Sequence, residues 1–570
     1  MSMKRHHMSR PALARAAWML LAVPLVVPLG AAAQSASSVP NAGSLLQQIP
    51  QPAPAVRPNR ESGLKLRQPD GQALPASAPF EVRAITITGN TLIASDVLAA
   101  LVADAIGQQL TLPQLESLAA RITQAYQRRG YPLARAIVPA QTITDGQVSL
   151  RVIEARFGEV RVDNHSRTSN RLINATMAPL QSGDVVAQDK LDRALLLLSD
   201  IPGVVSQATL SPGAEVGSSD LLVDVQPGAR VTGQVAADDH GSQNAGRSRL
   251  GVTLNLVNAL GLGDVLSATA LSSGKGLSSG GASYELLLNG SGTRIGVGFS
   301  SLRYELTGSL APLDAHGTAE VLSAVLRQPL IRSSNLNLSA ALTLDRTKLS
   351  DKVDVSSIAT DRTMHDANLS LVGERTDAWG GGGTTLAHVG VLSGRVSFDN
   401  QAAQYGDAAS AQTEGDFTKW TLNLSRQQSV SANGTLYLGV RAQWASCNLD
   451  ASQKLSVGGP TGVRGYDTGV APGDEGEILS VEYRHTVRMS APGVWQASVF
   501  ADSAHVRINA KPYAAGDNNV YLSGAGMGMS WAGPNGWQAK VAVAVPIGSV
   551  PNSLDYSRST RGWIDISRQF

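Results

Sequence analysis

Apolar and polar residues alternate along much of the chain after Gly228. The alternation is clearest in the segments 250–256, 336–344, 436–444 and 537–545. A period of two places successive side chains on opposite faces of a β-strand. Alternating segments of about ten residues, separated by turn residues, are typical of a transmembrane β-barrel. We therefore predict that residues 229–570 form an all-β transmembrane barrel.

A soluble β-sandwich would share this alternation, but the polar positions favour a barrel with a wet lumen. They carry Asn, Ser, Thr, Gln, Arg and Asp, and the last segment, 564–570, alternates up to an aromatic terminal residue, Phe570. About 340 residues follow Gly228, and about twenty residues per strand and connection would give about sixteen antiparallel strands. Phe570 is the predicted C-terminal assembly signal.

The region before the barrel has a different pattern, with two consecutive α+β units. In residues 79–154, a strand is followed by a helix at 95–105 with Ser95 as a possible N-cap, and by a second helix. In that second helix Leu115, Leu118, Ile122 and Tyr126 recur at helical spacing, and two more strands come next. Residues 155–228 repeat this order more weakly. Two units of similar size and order suggest an internal repeat.

The N-terminus has the features of a secretory signal. Basic residues precede an apolar run at 16–29, which ends in three alanines before Gln34. This pattern predicts a signal peptide at 1–33; the alternative, a membrane anchor, would need a longer run. Residues 34–78 are rich in Pro and predict an extended linker, with a possible short helix at 44–49.

Composition excludes several functions. Charged residues are 16% of the chain and the formal net charge is +2, so nothing indicates nucleic-acid binding. The chain has one cysteine, Cys447, which excludes an intrachain disulfide and a thiolate metal cage. The nine histidines have no metal-ligand spacing. We expect no metal and no cofactor.

One dense glycine segment stands out within the barrel region. It runs from Gly458 to Tyr466 and is followed by Phe500-Ala501-Asp502. Glycine allows close approach of the backbone to other surfaces, so the segment predicts a folded-in loop that presents Arg464. An exposed loop arginine is the alternative.

These motifs resemble the transporter subunit of two-partner secretion (the TpsB class), the haemolysin secretion/activation protein family of the POTRA-barrel superfamily. Residues 115–126, Arg129-Gly130-Tyr131, 138–141, Asp145-Gly146 and 152–154 are similar to its first POTRA domain. The lid-loop motif of the family is matched by Val463, Arg464, Gly465 and Tyr466. Its strand motif is matched by Phe500 and Asp502. The units 79–154 and 155–228 are then the first and second POTRA domains.

The resemblance implies a location and a mechanism. The chain would be a monomer in the outer membrane of a Gram-negative bacterium, inserted among lipid by the barrel-assembly machinery. Its POTRA domains would capture an unfolded, large secreted partner (a TpsA-like haemolysin, adhesin or toxin) in the periplasm for export through the pore. The lid loop would fold into the barrel and set Arg464 against Asp502 on the inner wall.

Two features depart from the family pattern. The family often has an N-terminal plug helix in the pore, but the segment 44–49 is short. The terminal strand carries Arg568 where outer-membrane strands more often have an apolar residue.

Other functions have weaker support. An assembly or insertion factor of the same superfamily is the nearest alternative, and a diffusion porin would not explain residues 80–228. An enzyme is not expected. The segment Gly276-Leu277-Ser278-Ser279-Gly280 matches the pattern of a nucleophile elbow, but we expect it in a flexible loop with no helix following. Gly274-Lys275-Gly276 lacks the spacing of a phosphate-binding loop.

Overall fold

The computed structural model describes residues 39–50, 63–66, 77–513, 515–548 and 559–570. The predicted signal peptide, 1–33, lies outside the described residues, as does most of the predicted linker. Within the described parts of the linker, a helix α1 (Ala42–Leu46) and a strand β1 (Leu64–Leu66) form. The side chain of Asn41 accepts a hydrogen bond from the N–H of Ser44 and caps α1, which begins two residues before the predicted helix.

The first α+β unit has two small sheets beside helices. Its elements are β2 (Phe80–Glu81), β3 (Ala84–Thr88), α2 (Ser95–Ala100), β4 (Gln109–Leu110), α3 (Leu112–Arg128), β5 (Arg135–Ile137) and β6 (Gln147–Ile153). The three-stranded sheet has the order β3-β6-β5. The predicted apolar face of α3 packs in the core, where Leu115, Ile122 and Tyr126 are fully buried. Ser95 is the first residue of α2 and not its N-cap, which is Ala94.

The second unit repeats the order strand, two helices, two strands, with a single sheet. It contains β7 (Arg156–Asn164), α4 (Asn170–Met177), α5 (Gln188–Ser199), β8 (Val204–Pro212) and β9 (Ser218–Pro227). The sheet order is β1-β8-β9-β7, and β1 pairs in parallel with β8 through Leu64–Ala208 and Lys65–Thr209. The strand β1 therefore extends the sheet of the second unit with a segment of the N-terminal linker.

The remaining strands close into a barrel. In order around it they are β10 (Val231–Asp238), β11 (Arg249–Val257), β12 (Val265–Ser272), β13 (Leu277–Leu287), β14 (Arg294–Glu305), β15 (Ala315–Arg332), β16 (Leu336–Val353), β17 (Ile358–Asp377), β18 (Gly383–Phe398), β19 (Gly415–Ser429), β20 (Gly434–Ala445), β21 (Glu475–Val487), β22 (Val494–Arg507), β23 (Asn519–Ala532), β24 (Trp537–Pro546) and β25 (Arg561–Gln569). A helix α6 (Gln401–Ala408) lies between β18 and β19. The predicted fold class, α+β units followed by a barrel of about sixteen antiparallel strands, is confirmed.

The alternation of the sequence separates the two faces of the barrel wall. On β11, Leu250 and Leu254 are exposed on the outer face, whereas Asn255 is buried. On β25, Ile566 is exposed and the neighbouring Ser567 is buried. An apolar outer band with a polar interior is what a lipid bilayer around a wet lumen requires. No helix among the described residues is long and apolar enough to cross a membrane.

The barrel closes between its first and last strands. Strand β10 pairs with β25 from Gln234–Gln569 to Asp238–Asp565. Beyond this, the N–H of Phe570 donates to the carbonyl of Gly233 at 3.0 Å, and the Gly233 N–H donates back at 2.8 Å. The terminal residue thus takes part in closure, with its ring exposed.

The second unit is docked on the barrel turns that face it. The guanidinium of Arg332 binds both carboxylate oxygens of Asp200, with Nε–Oδ2 at 2.6 Å and Nη2–Oδ1 at 2.8 Å. Asn258 donates to the hydroxyl of Thr168 at 2.8 Å. A bidentate pair fixes relative orientation as well as distance. The second unit is therefore held at the barrel end from which β10 begins.

The carboxyl group of Glu154 ties α3 to the loop before α2 in the first unit. It accepts hydrogen bonds from the N–H groups of Thr91 and Leu92 at 2.7 and 2.8 Å, and from the hydroxyl of Tyr126 at 2.7 Å. Burial alone would raise the pKa of Glu154, but these hydrogen bonds outweigh it and hold the pKa below its usual value. Burial, together with the adjacent carboxylate, raises the pKa of Tyr126.

We expect Glu154→Gln to lower the stability of the first unit at neutral pH by about 1 kcal/mol, because charge-assisted hydrogen bonds on a partly exposed group are lost. Since the folded-state pKa is lowered, the wild-type stabilisation is fully present above the unfolded pKa, about 4.3, and disappears as the pH falls through the folded value. Hydrogen exchange of residues 91–92 in the full chain, corrected for intrinsic rates, measures this. Equal exchange in variant and wild type at neutral pH would contradict it.

Candidate functional site

The loop between β20 and β21, residues 446–474, folds back into the barrel lumen; we call it the lid loop. Its glycine segment makes a tight turn in which the Val463 N–H donates to the Val457 carbonyl at 2.8 Å and Gly459 has a φ of 102°. Val457, Val463 and Tyr466 are fully buried and pack in one cluster with wall residues of β21, β22 and β23. The loop is therefore seated on the wall through an apolar contact.

Arg464 lies at the tip of this turn and binds the wall. Its Nε donates to Oδ2 of Asp502 at 2.8 Å and its Nη2 donates to Oδ1 at 2.9 Å, while its backbone N–H reaches Oδ2 at 3.2 Å. The Asp502 side chain is fully buried and that of Arg464 is 7% exposed. The two predicted motifs are thus brought together in a bidentate pair on β22.

A second carboxylate completes the arrangement. Nη1 of Arg464 donates to Oε2 of Glu482 on β21 at 2.6 Å, and Arg484 donates to the other oxygen of Glu482 at 2.8 Å. Sequence reasoning did not find Glu482. The available signal was the alternation of 479–484, which places Ser480, Glu482 and Arg484 on one face, beside the row that carries Asp502.

Two aromatic residues contact Arg464. The Cζ atom of Arg464 is 3.3 Å from the ring centroid of Phe500, a cation–π contact that is stronger where water is excluded. Trp563 of β25 donates from Nε1 to the backbone carbonyl of Arg464 at 2.8 Å. The side chain and backbone of Arg464 therefore contact β21, β22 and β25 together.

The position of Gly465 leaves no space for a side chain. A Cβ atom there would lie 2.9 Å from the backbone N of Pro546 and 2.9 Å from the backbone carbon of Val545 on β24. Backbone atoms cannot move aside as a flexible side chain can, so only glycine lets the loop approach this strand so closely.

The turn after Tyr466 connects the lid loop to the strands that close the barrel. Asp467 accepts hydrogen bonds from Arg247 at 3.1 Å and from Arg561 of β25. Thr468 donates to the carbonyl of His240 at 2.9 Å. The lid loop is thereby bound to the seam between β10 and β25, at the end of the barrel opposite the α+β units.

Helix α1 lies inside the barrel between the lid loop and the wall. Ala42 and Leu45 are fully buried against residues of β14, β15 and β16. The Ala42 N–H donates to Asp351 at 2.7 Å, and Gln47 donates to the Lys454 carbonyl of the lid loop at 2.6 Å. The segment that contains α1 is short for a plug helix of the family, but it lies in the lumen.

Two other groups bear on the sequence predictions. Ser278 lies within β13 and not in a flexible loop, because residues 277–287 pair continuously with β14.

Asp238, His240 and Asp565 offer ligand atoms within 4.8 Å of one another, but Arg249 already donates to Asp238 at 2.8 Å. This group is therefore part of an ion pair at the seam.

Taken together, the apolar outer band, the two α+β units and the lumenal loop define an outer-membrane barrel protein with periplasmic domains. Residues 217–531 match the model of the family described as haemolysin secretion/activation protein ShlB/FhaC/HecB, and residues 80–155 match the POTRA domain, ShlB-type. The chain belongs to this family. It is an outer-membrane transporter of two-partner secretion, and its POTRA domains face the periplasm.

Relatives span most of the chain. The heme/hemopexin transporter protein HuxB of Haemophilus influenzae (strain 86-028NP) is 28% identical over 488 residues, covering 84% of this chain and 85% of that protein. The outer membrane transporter CdiB of Escherichia coli O6:K15:H31 (strain 536 / UPEC) is 25% identical over 477 residues, covering 79% and 76%. The solved structure of CdiB from Escherichia coli has a similar fold, with a TM-score of 0.67 at 20% identity, covering 88% and 93%.

Proposed function

We propose that this chain exports one large secreted partner, and that Arg464, Asp502 and Glu482 form a lock that holds the lid loop on the barrel wall in the arrangement that export requires. The contact that supports this is the four hydrogen bonds that the Arg464 side chain and backbone make to two wall strands. These contacts stabilise one conformation of the lid loop. They leave none of the three side chains free to act as a nucleophile or base. The role of the site is therefore conformational, and we expect neither enzymatic activity nor a cofactor requirement.

The POTRA domains capture the partner as an extended chain in the periplasm. An exposed sheet edge binds such a chain by adding it as a strand, with main-chain hydrogen bonds for affinity. Two features support this mode: the sheet of the second POTRA domain already carries the added strand β1, and the first has β3 and β5 at its edges. The buried faces of α3 and α5 form domain cores, so the side-chain contacts to the partner come from exposed residues.

The partner is a haemolysin, an adhesin or a toxin of the two-partner class. The transporter works as a monomer surrounded by outer-membrane lipid, after insertion by the barrel-assembly machinery with Phe570 as the terminal signal. The pairing of Phe570 with Gly233 across the seam supports a role for this residue in barrel completion. The rival function, an assembly factor of the same superfamily, is disfavoured by the family match.

Co-expression with the secreted partner tests the function. We expect the partner in the culture medium only when the transporter is present, because the outer membrane otherwise retains it in the periplasm. Immunoblots of medium and periplasm measure the distribution. Equal amounts in the medium with and without the transporter would refute export, and defective insertion of other barrels in its absence would support the assembly function.

A further inference from the structure

A cavity lined by apolar and charged residues lies in the barrel beneath the lid loop; we call it the entry chamber. Its volume is about 510 Å³. Its charged lining residues are Arg441, Arg464, Glu482, Arg484 and Lys540. Lys540 is near the start of β24 and Arg484 near the end of β21, and both ends lie on the POTRA side of the barrel. The chamber is therefore in the periplasmic half of the lumen, with Thr461 and Arg464 of the lid loop at its upper limit.

The charges around the chamber do not balance. Arg464 and Arg484 are matched by Asp502 and Glu482 in the lock. Arg441 and Lys540 form no ion pair with any residue that the structure describes. Arg441 donates to the Thr461 carbonyl, a neutral acceptor. Arg441 and Lys540 therefore have no ion-pair partner in the chamber, although Asp565 lies opposite Lys540 in the register of β24 and β25.

Uncompensated charges in a cleft with low-dielectric walls attract ions of the opposite sign more strongly than the same charges on an open surface. The guanidinium of Arg441 keeps donors in a planar fork that matches a carboxylate, and Lys540 adds a second cation. Hydrogen-bonding side chains of Asn423, Tyr437 and Ser480 line the same cavity. The volume falls in the range of about 300–1,000 Å³ found for ligand sites. The chemistry and the size both suit carboxylate groups on an extended chain.

We propose that the entry chamber binds acidic segments of the exported partner, with Arg441 and Lys540 as the carboxylate-binding residues. This inference rests on the proposed export function, because it takes the partner chain as the ligand that enters from the periplasm. Arg464 and Glu482 line the chamber too, so a carboxylate bound there lies next to the lock.

Binding of a fluorescent hexaglutamate peptide to the full chain in detergent, followed by anisotropy, tests the proposal. We expect saturable binding that weakens with added salt, and no binding of hexaglutamine. Arg441→Gln and Lys540→Gln should each weaken hexaglutamate binding about fivefold, the effect of about 1 kcal/mol for one unit charge at 4 Å in water. Arg441→Lys and Lys540→Arg, which keep the charge, should retain binding.

Arg395→Gln is the matched control, because Arg395 is exposed beyond the lumen and paired with Asp416. Loss of binding in this variant equal to that in Lys540→Gln would show general surface attraction and overturn the proposal. Binding of inorganic phosphate through Arg441 and Lys540 without hexaglutamate binding would also overturn it, since the site would then serve a small anion. If the wild type exports the partner but does not bind the peptide, only the proposal on the entry chamber is refuted. If the wild type does not export the partner, the proposed function is refuted, whether or not the peptide binds.

Discussion

Replacement of Arg464 by alanine is expected to reduce export of the partner about tenfold or more, while the barrel remains in the outer membrane. The substitution leaves two buried carboxylates, Asp502 and Glu482, without their shared cation. Breaking a buried pair from one side costs about 3–5 kcal/mol, and about 1.4 kcal/mol corresponds to a factor of ten in an equilibrium constant. The fraction of molecules with the lid loop seated on the wall should therefore fall steeply. The amount of partner in the medium at equal transporter level measures the effect.

Asp502→Ala should have a similar effect, because it removes the bidentate acceptor of Arg464 on the opposite side of the contact. Asp502→Asn distinguishes the contribution of the charge from that of the side-chain shape. It keeps the size of the side chain but loses one acceptor and the negative charge. Arg395→Ala serves as a control for the loss of an arginine paired at an exposed position. Heat-modifiable electrophoretic mobility confirms that each barrel has folded. Normal secretion by both Arg464→Ala and Asp502→Ala would refute the lock.

The barrel could be predicted from sequence because its pattern is local. A strand with one face in lipid and one in water must alternate residue by residue, and a single segment such as 537–545 already shows this. The number of strands followed from the length of the alternating region. The helix α4 was missed, since it has only eight residues and its buried side chains, Leu172, Ile173 and Met177, form a short pattern that a loop can share.

The site was only partly predictable, because its parts are distant in sequence. The pairing of Arg464 with Asp502 came from resemblance to the family, and nothing in the spacing of the two residues requires it. Glu482 joins them because the antiparallel register of β21 and β22 places it opposite Phe500. The position of α1 in the lumen depends on contacts to Asp351 and the lid loop, hundreds of residues away in the chain. Such contacts are set by closure of the barrel and not by local sequence.

Deletion of residues 80–228 is expected to abolish capture of the partner, because this region holds both α+β units and their sheet edges. The barrel has its own closed hydrogen-bonding pattern from β10 to β25, so its strands do not need a partner from the deleted region. The bare barrel should be recovered in the outer membrane with little retained partner. Retention of the N-terminal region of the partner on immobilised transporter measures capture, with heat-modifiable mobility as the folding control.

A shorter deletion, of residues 80–154, distinguishes the two domains. The second α+β unit keeps its Asp200–Arg332 pair with the barrel and its added strand β1 in this variant. If the first domain supplies the free sheet edges, the short deletion should lose capture as completely as the long one. Retained capture after the short deletion would place the binding edge on the second domain, where the partner has to share the sheet with β1. Intact binding by the bare barrel would contradict capture by either domain, since the lumen would then bind the partner without them.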